Sequence, residues 1–151
     1  MANFSLRECL IKDRAAGTYH DAAKIPAKTM ANLEETQRRV NKFVERYPKP
    51  LICNCLWRDP SGVQPAGGAT NSPHHFALGM DIQDTDGAFA RWVMNNLAWL
   101  AECDLYMECP LYTHTCAPNK KPTSGWVHLD RGGWSETGDP KSRTTRIFQP
   151  F

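Results

Sequence analysis

The sequence has no apolar run approaching the ~18 residues of a membrane-spanning helix, no C-x-x-C pair, no internal repeat and no low-complexity segment. Each absence removes a class of function. Without a long apolar run the chain is not expected to span a membrane. The opening MANFSLRECLIKDR lacks the basic start, apolar stretch and cleavage site of a secretory signal, so synthesis in the cytoplasm is expected. The six cysteines, at 9, 53, 55, 103, 109 and 116, form neither a zinc knuckle nor a thioredoxin-type redox pair. They are expected to be reduced and structural, with a Cys109–Cys116 bridge left open. Charge of one sign is also scarce. A net charge of +2 with scattered basic residues argues against a dedicated nucleic-acid binder.

What is present fits one domain over 1–151: 41% hydrophobic and 23% charged residues in 151 positions. Ser5 and Glu8 have the spacing of a capping box ahead of a short helix over about 6–12. Residues 13–27, with Gly17 and Pro26, read as a loop. Met30, Leu33, Val40, Phe43, Val44 and Tyr47 recur at helical spacing until Pro48 and Pro50. PLICNCLW (50–57) reads as a buried strand and 58–73 as a long loop of the kind that carries function. HFALGMDI reads as a strand or tight strand pair. A second amphipathic helix follows from the Asp84–Asp86 cap to Glu102. CDLYMEC (103–109) reads as a strand, 109–125 as a loop, GWVHLD (125–130) as a strand, and TTRIFQPF as a last strand. The order predicts an α+β fold with a mainly antiparallel sheet flanked by helices.

The stretch NSPHHFALGMDIQD, residues 71–84, places a carboxylate, Asp81, between Met80 and Ile82 in what reads as a core strand. A charge is not buried there without a partner. His74 lies seven residues away, about 23 Å on a straight strand and about 10 Å along a helix. Sharing one ion therefore demands a fold-back, for which Ala77 is small and Gly79 conformationally free. In GWVHLD, alternation sets Trp126, His128 and Asp130 opposite Val127 and Leu129. In LYMEC it sets Tyr106 and Glu108 opposite Leu105 and Met107. Two histidines and one carboxylate, with a fourth position for water, make a catalytic zinc arrangement; the bland alternative is a polar histidine at each strand end.

SPHHFALGMD resembles the S-x-H-x-x-G-x-A-x-D motif of the zinc D-alanyl-D-alanine carboxypeptidase family (peptidase family M15), which includes many phage endolysins. Ser72, His74 and Asp81 fall on its defining positions, while Ala77 and Gly79 exchange the two small residues. KPLICNCLWRDP, the AGGATNSPHH stretch, LYMEC and GWVHLD extend the likeness over nearly the whole chain. The resemblance implies a hedgehog/D,D-peptidase-like fold and zinc held by His74, Asp81 and His128, with His75 a bystander. It implies Glu108 as catalytic base, Arg58 gripping a substrate carboxylate or carbonyl, and Ser72 shaping the site. The long segment between Glu108 and His128 leaves Asp130 as a rival base or as a partner that orients a ligand histidine. It further implies a peptidoglycan peptide substrate; separately, a monomer is expected. The setting is release onto the cell wall, as a phage lysis or virion-associated enzyme, or action on muropeptides in the cytoplasm. A non-catalytic wall-binding module of the same fold is the alternative.

Overall fold

The computed structural model describes residues 2–61, 72–115, 124–135 and 137–149. Helix α1 (Leu6–Cys9) opens on the capping box: the Ser5 hydroxyl accepts from the Glu8 N–H and the Glu8 carboxylate accepts from the Ser5 N–H. It is shorter than its spacing predicts, because Ile11 already belongs to β1 (Ile11–Asp13), which pairs antiparallel with β2 (Thr18–Tyr19). The loop expected over 13–27 thus holds a small hairpin.

Helix α2 (Ala27–Val44) begins after Pro26, whose fixed φ suits a helix entry. It buries Leu33, Val40, Phe43 and Val44 completely. Phe43, Tyr47, Phe89 and Trp92 form an aromatic cluster with ring centroids 4.9–5.9 Å apart. Truncating Phe43 to alanine would cost about 3–5 kcal/mol, the usual range for a fully buried phenylalanine.

The main sheet holds β3 (Cys53–Cys55), β4 (Gly79–Gln83), β5 (Tyr106–Glu108), β7 (Ser124–Asp130) and β10 (Ile147–Phe148), in the spatial order β10-β5-β7-β4-β3. A further strand, β6 (His114–Thr115), pairs with the start of β7. Among the described residues every pairing in this sheet is antiparallel except β10 with β5. The chain is α+β with a mainly antiparallel sheet. Met80, Ile82, Met107, Val127 and Leu129 all point to the core face and are fully buried.

The helix expected over 84–102 is two: α3 (Ala88–Met94) and α4 (Leu97–Glu102). The break falls at Asn95–Asn96, where the Asn96 side-chain amide donates to the Trp92 carbonyl and ends the first segment. The Asp84 carboxylate accepts from the N–H groups of Phe89 and Ala90 and from His114 Nε2, tying α3 to β6. The 109–125 loop contains α5 (Pro110–Thr113) and β6. A last hairpin, β8 (Gly133–Trp134) with β9 (Pro140–Lys141), follows β7 in the chain. Cys9, Cys53, Cys55, Cys103 and Cys109 are free thiols; the suggested partner of Cys109, Cys116, lies outside the described residues.

Among the described residues no helix is long and apolar enough to cross a membrane.

Candidate metal centre

Strand register decides which side chains meet. Asp81 on β4 stands opposite Cys55 on β3 and opposite His128 on β7. On β5 and β7, Tyr106 faces Asp130 and Met107 faces Leu129, a register that continues to Glu108 beside His128. Phe148 on β10 stands opposite Glu108. Because side chains alternate across a strand, Cys55, Asp81, His128, Glu108 and Phe148 form one row across the face away from the core.

His74 reaches this row from outside the sheet. Ser72 accepts from the His74 N–H and caps a single 3-10 turn, Pro73–Phe76. Ala77 then takes the left-handed conformation, φ 56°, and turns the chain back into β4. Hydrogen bonds hold that turn: Thr36 Oγ1 donates to the Ala77 carbonyl at 2.7 Å, and the Ala77 and Arg58 N–H groups donate to the His74 carbonyl at 3.2 and 3.0 Å. The fold-back that the sequence demanded is present, but Ala77 makes it rather than Gly79. Gly79 serves a different end. It lies in β4 opposite Asp130, and a Cβ there would stand 2.6 Å from Cε1 and 3.0 Å from Nε2 of His128. Glycine leaves room for the imidazole. Gly79→Ala is expected to push His128 out of line and weaken divalent-metal binding about 10–100-fold, the range for disturbing whatever orients a ligand; competition against a chromophoric chelator measures it.

The three side chains converge. Asp81 Oδ2 lies 3.1 Å from His74 Nε2, and Asp81 Oδ1 lies 2.8 Å from His128 Nδ1. One donor atom from each residue falls within 4.8 Å of the other two. The outer nitrogens settle the tautomers. His74 Nδ1 is 3.2 Å from the Leu56 carbonyl, which only accepts, so Nδ1 carries the proton. His128 Nε2 is 2.9 Å from Asp130 Oδ2 and donates to it in the same way. In the neutral imidazoles both remaining lone pairs face Asp81, which is the donor set a divalent ion requires.

Asp130 is itself fixed. It is fully buried and accepts from Arg143 Nη2 at 2.8 Å, Arg143 Nε at 3.3 Å and the Gly132 N–H at 2.9 Å. Gly132 adopts φ 122°, and a Cβ there would meet the Lys141 carbonyl, so no other residue fits the turn that presents this N–H.

Without an ion, protons take its place. Burial pulls the His128 pKa down, but hydrogen bonds to Asp130 and Asp81 outweigh it and hold the ring up at about 9 against an ordinary 6.5. His74 is likewise held up: burial disfavours its charge, and Asp81 more than restores it. Asp81 is held well below the usual carboxylate range, since the two imidazoles overcome the penalty of burial. The sign follows by linkage. A raised histidine pKa stabilises the fold fully below about 6.5, and that stabilisation is lost as pH rises through about 9. The melting temperature of chelator-treated protein is therefore expected to fall between pH 6.5 and 9. Metal-loaded protein should not show this fall, because binding displaces those protons. Calorimetry across that window checks both arms.

The row opens onto a cleft of about 250 Å³, with Ser72, Glu108 and Asp130 in its lining beside the three grouped residues and with Trp126, Trp134 and Phe148 as walls. Glu108 is partly buried, and burial with the nearby Asp81 and Asp130 charges raises its pKa against the opposing pull of the two histidines. Such a carboxylate is a better proton acceptor at neutral pH than an exposed one.

Two expected residues stand apart. Arg58 donates its backbone N–H to the His74 carbonyl but is not among the described residues that line this cleft. His75 is buried on the other side of the 3-10 turn, in a separate cavity with Lys24 and Lys28, outside the metal group as expected. The guanidinium in the cleft belongs to Arg143, which sequence reasoning missed. Its ion pair with Asp130 is thirteen residues distant in sequence, across the β8–β9 hairpin, and leaves no periodic signal. Cys55 was missed as well; its thiol lies against His74 and helps raise that ring's pKa.

Compared with protein-family models, curated proteins and solved structures, the chain has no match in any of the three.

Proposed function

We propose that the chain is a zinc peptidase of hedgehog/D,D-peptidase-like fold that hydrolyses amide bonds in peptidoglycan stem peptides. The observation that carries this reading is the inward-facing donor set of His74, Asp81 and His128 beside a half-buried carboxylate, Glu108. Two imidazole nitrogens and one carboxylate oxygen suit zinc, and three protein ligands match a catalytic site rather than a closed structural one. A zinc ion in this set would supply a Lewis acid that polarises an amide carbonyl and acidifies water. Glu108 takes the proton of the attacking water and returns it to the leaving amine. Asp130 holds His128 in the tautomer that ligates, and the Leu56 carbonyl does so for His74. Ser72 shapes the entry to the cleft through the turn that carries His74. The substrate class rests on the motif likeness, and a lysis enzyme acting on the wall after release is the setting it fits.

Digestion of purified peptidoglycan with and without chelator, followed by mass spectrometry, tests the proposal. Chelator-sensitive loss of one alanine identifies a carboxypeptidase, and separated stems identify an endopeptidase. Unchanged peptidoglycan from metal-loaded protein overturns catalysis and leaves a wall-binding module.

A further inference from the structure

We infer that Arg143 receives the carboxylate of the substrate, the role that the sequence pattern gives to Arg58; the inference rests on the peptidase reading for the kind of ligand involved. The guanidinium is held on three sides. Nη2 and Nε grip Asp130, Nη2 also reaches the Gly132 carbonyl at 3.3 Å, and the plane lies 3.5 Å over the Phe148 ring. Phe148 in turn sits edge-on to His128, with ring centroids 6.0 Å apart. The cation is thereby fixed beside the metal group at little entropic cost on binding. Nη1 has no hydrogen-bond partner among the described residues, although the side chain is only 18% exposed and lines the cleft. With Nε and both Nη2 hydrogens engaged by Asp130 and Gly132, Nη1 is the end of the guanidinium left to donate, a charged donor of the kind that suits a carboxylate. Arg143 neutralises Asp130 and leaves its remaining donors for the ligand. The carboxylate is either the peptide's C-terminus or an acidic side chain.

Binding in the Glu108→Gln protein, loaded with zinc, separates recognition from turnover. The probes are N-acetyl-D-alanyl-D-alanine, its C-terminal amide, and the amide of a peptide bearing a D-glutamate side chain. The readout is quenching of tryptophan fluorescence in the cleft. At least one free-acid probe is expected to bind about 10–100-fold more tightly than the uncharged amide, the usual worth of a hydrogen bond to a charged group. The identity of the tighter probe assigns the carboxylate to terminus or side chain. Arg143→Met should erase the preference. Arg143→Lys keeps a positive charge beside Asp130 and so protects the fold, and it should lose much of the preference because a single ammonium held by Asp130 cannot also extend the donor that Nη1 supplies. Equal binding of acids and amide, or a preference that survives in Arg143→Met or is undiminished in Arg143→Lys, overturns the assignment. Acid-selective binding through Arg143 by a wild-type protein that hydrolyses nothing keeps the assignment and overturns the peptidase. Hydrolysis with equal binding does the reverse.

Discussion

Glu108→Gln is expected to lower kcat on a peptidoglycan stem peptide by about 10²–10⁴-fold, the usual contribution of a positioned general base. Metal content should stay at the wild-type level, since Glu108 is not one of the three grouped donors. Glutamine keeps the size of the side chain and an accepting oxygen but cannot take the proton of water. KM should therefore change little beside kcat. Steady-state kinetics together with atomic absorption reads both quantities, and an undiminished kcat would move the base elsewhere. Asp130 is the rival, and its surroundings argue against it. A carboxylate that is fully buried and accepts from Arg143, Gly132 and His128 has its lone pairs engaged. Its chemistry is to hold the His128 ring.

His74→Ala is expected to remove metal from the purified protein and take hydrolysis to background. Two remaining ligands, Asp81 and His128, fall below the three that a catalytic zinc site requires. The fold should survive, because His74 sits on a turn held by Thr36, Ser72 and the Arg58 N–H rather than in the packed core. Elemental analysis after gel filtration, with circular dichroism as the check on folding, measures the outcome. A chain that keeps one metal per molecule and full activity without His74 would end the peptidase proposal.

The sequence told its local features well and its distant ones poorly. Alternation in GWVHLD correctly sets Val127 and Leu129 into the core and His128 and Asp130 on the opposite face. The isolated carboxylate of Asp81 signals that partners must meet it, and two imidazoles do, in a group that could hold a metal ion. The capping box at Ser5 and Glu8 is local chemistry and is read directly. The fold-back before Asp81 is legible as a necessity, but its maker is not. Alanine at φ 56° is uncommon, and only the bonds from Thr36 and around His74 make the turn hold at Ala77. The break at Asn95–Asn96 is masked by an apolar pattern that runs through both helical segments. Least legible is Arg143, whose partners Asp130 and Phe148 come together only when β10 lies beside β5.

The row of Cys55, Asp81, His128, Glu108 and Phe148 has an evolutionary consequence. A strand turns consecutive side chains to opposite faces, so deleting or inserting one residue reverses every position beyond it. Losing one codon within Gly79–Gln83 or Ser124–Asp130 would carry a metal-facing carboxylate or imidazole into oil and a core methionine or leucine into the cleft. Most substitutions leave the framework standing, but a frame-preserving indel in either strand removes the centre at once. Length variation among descendants of this chain should therefore gather in its connections and spare these two strands.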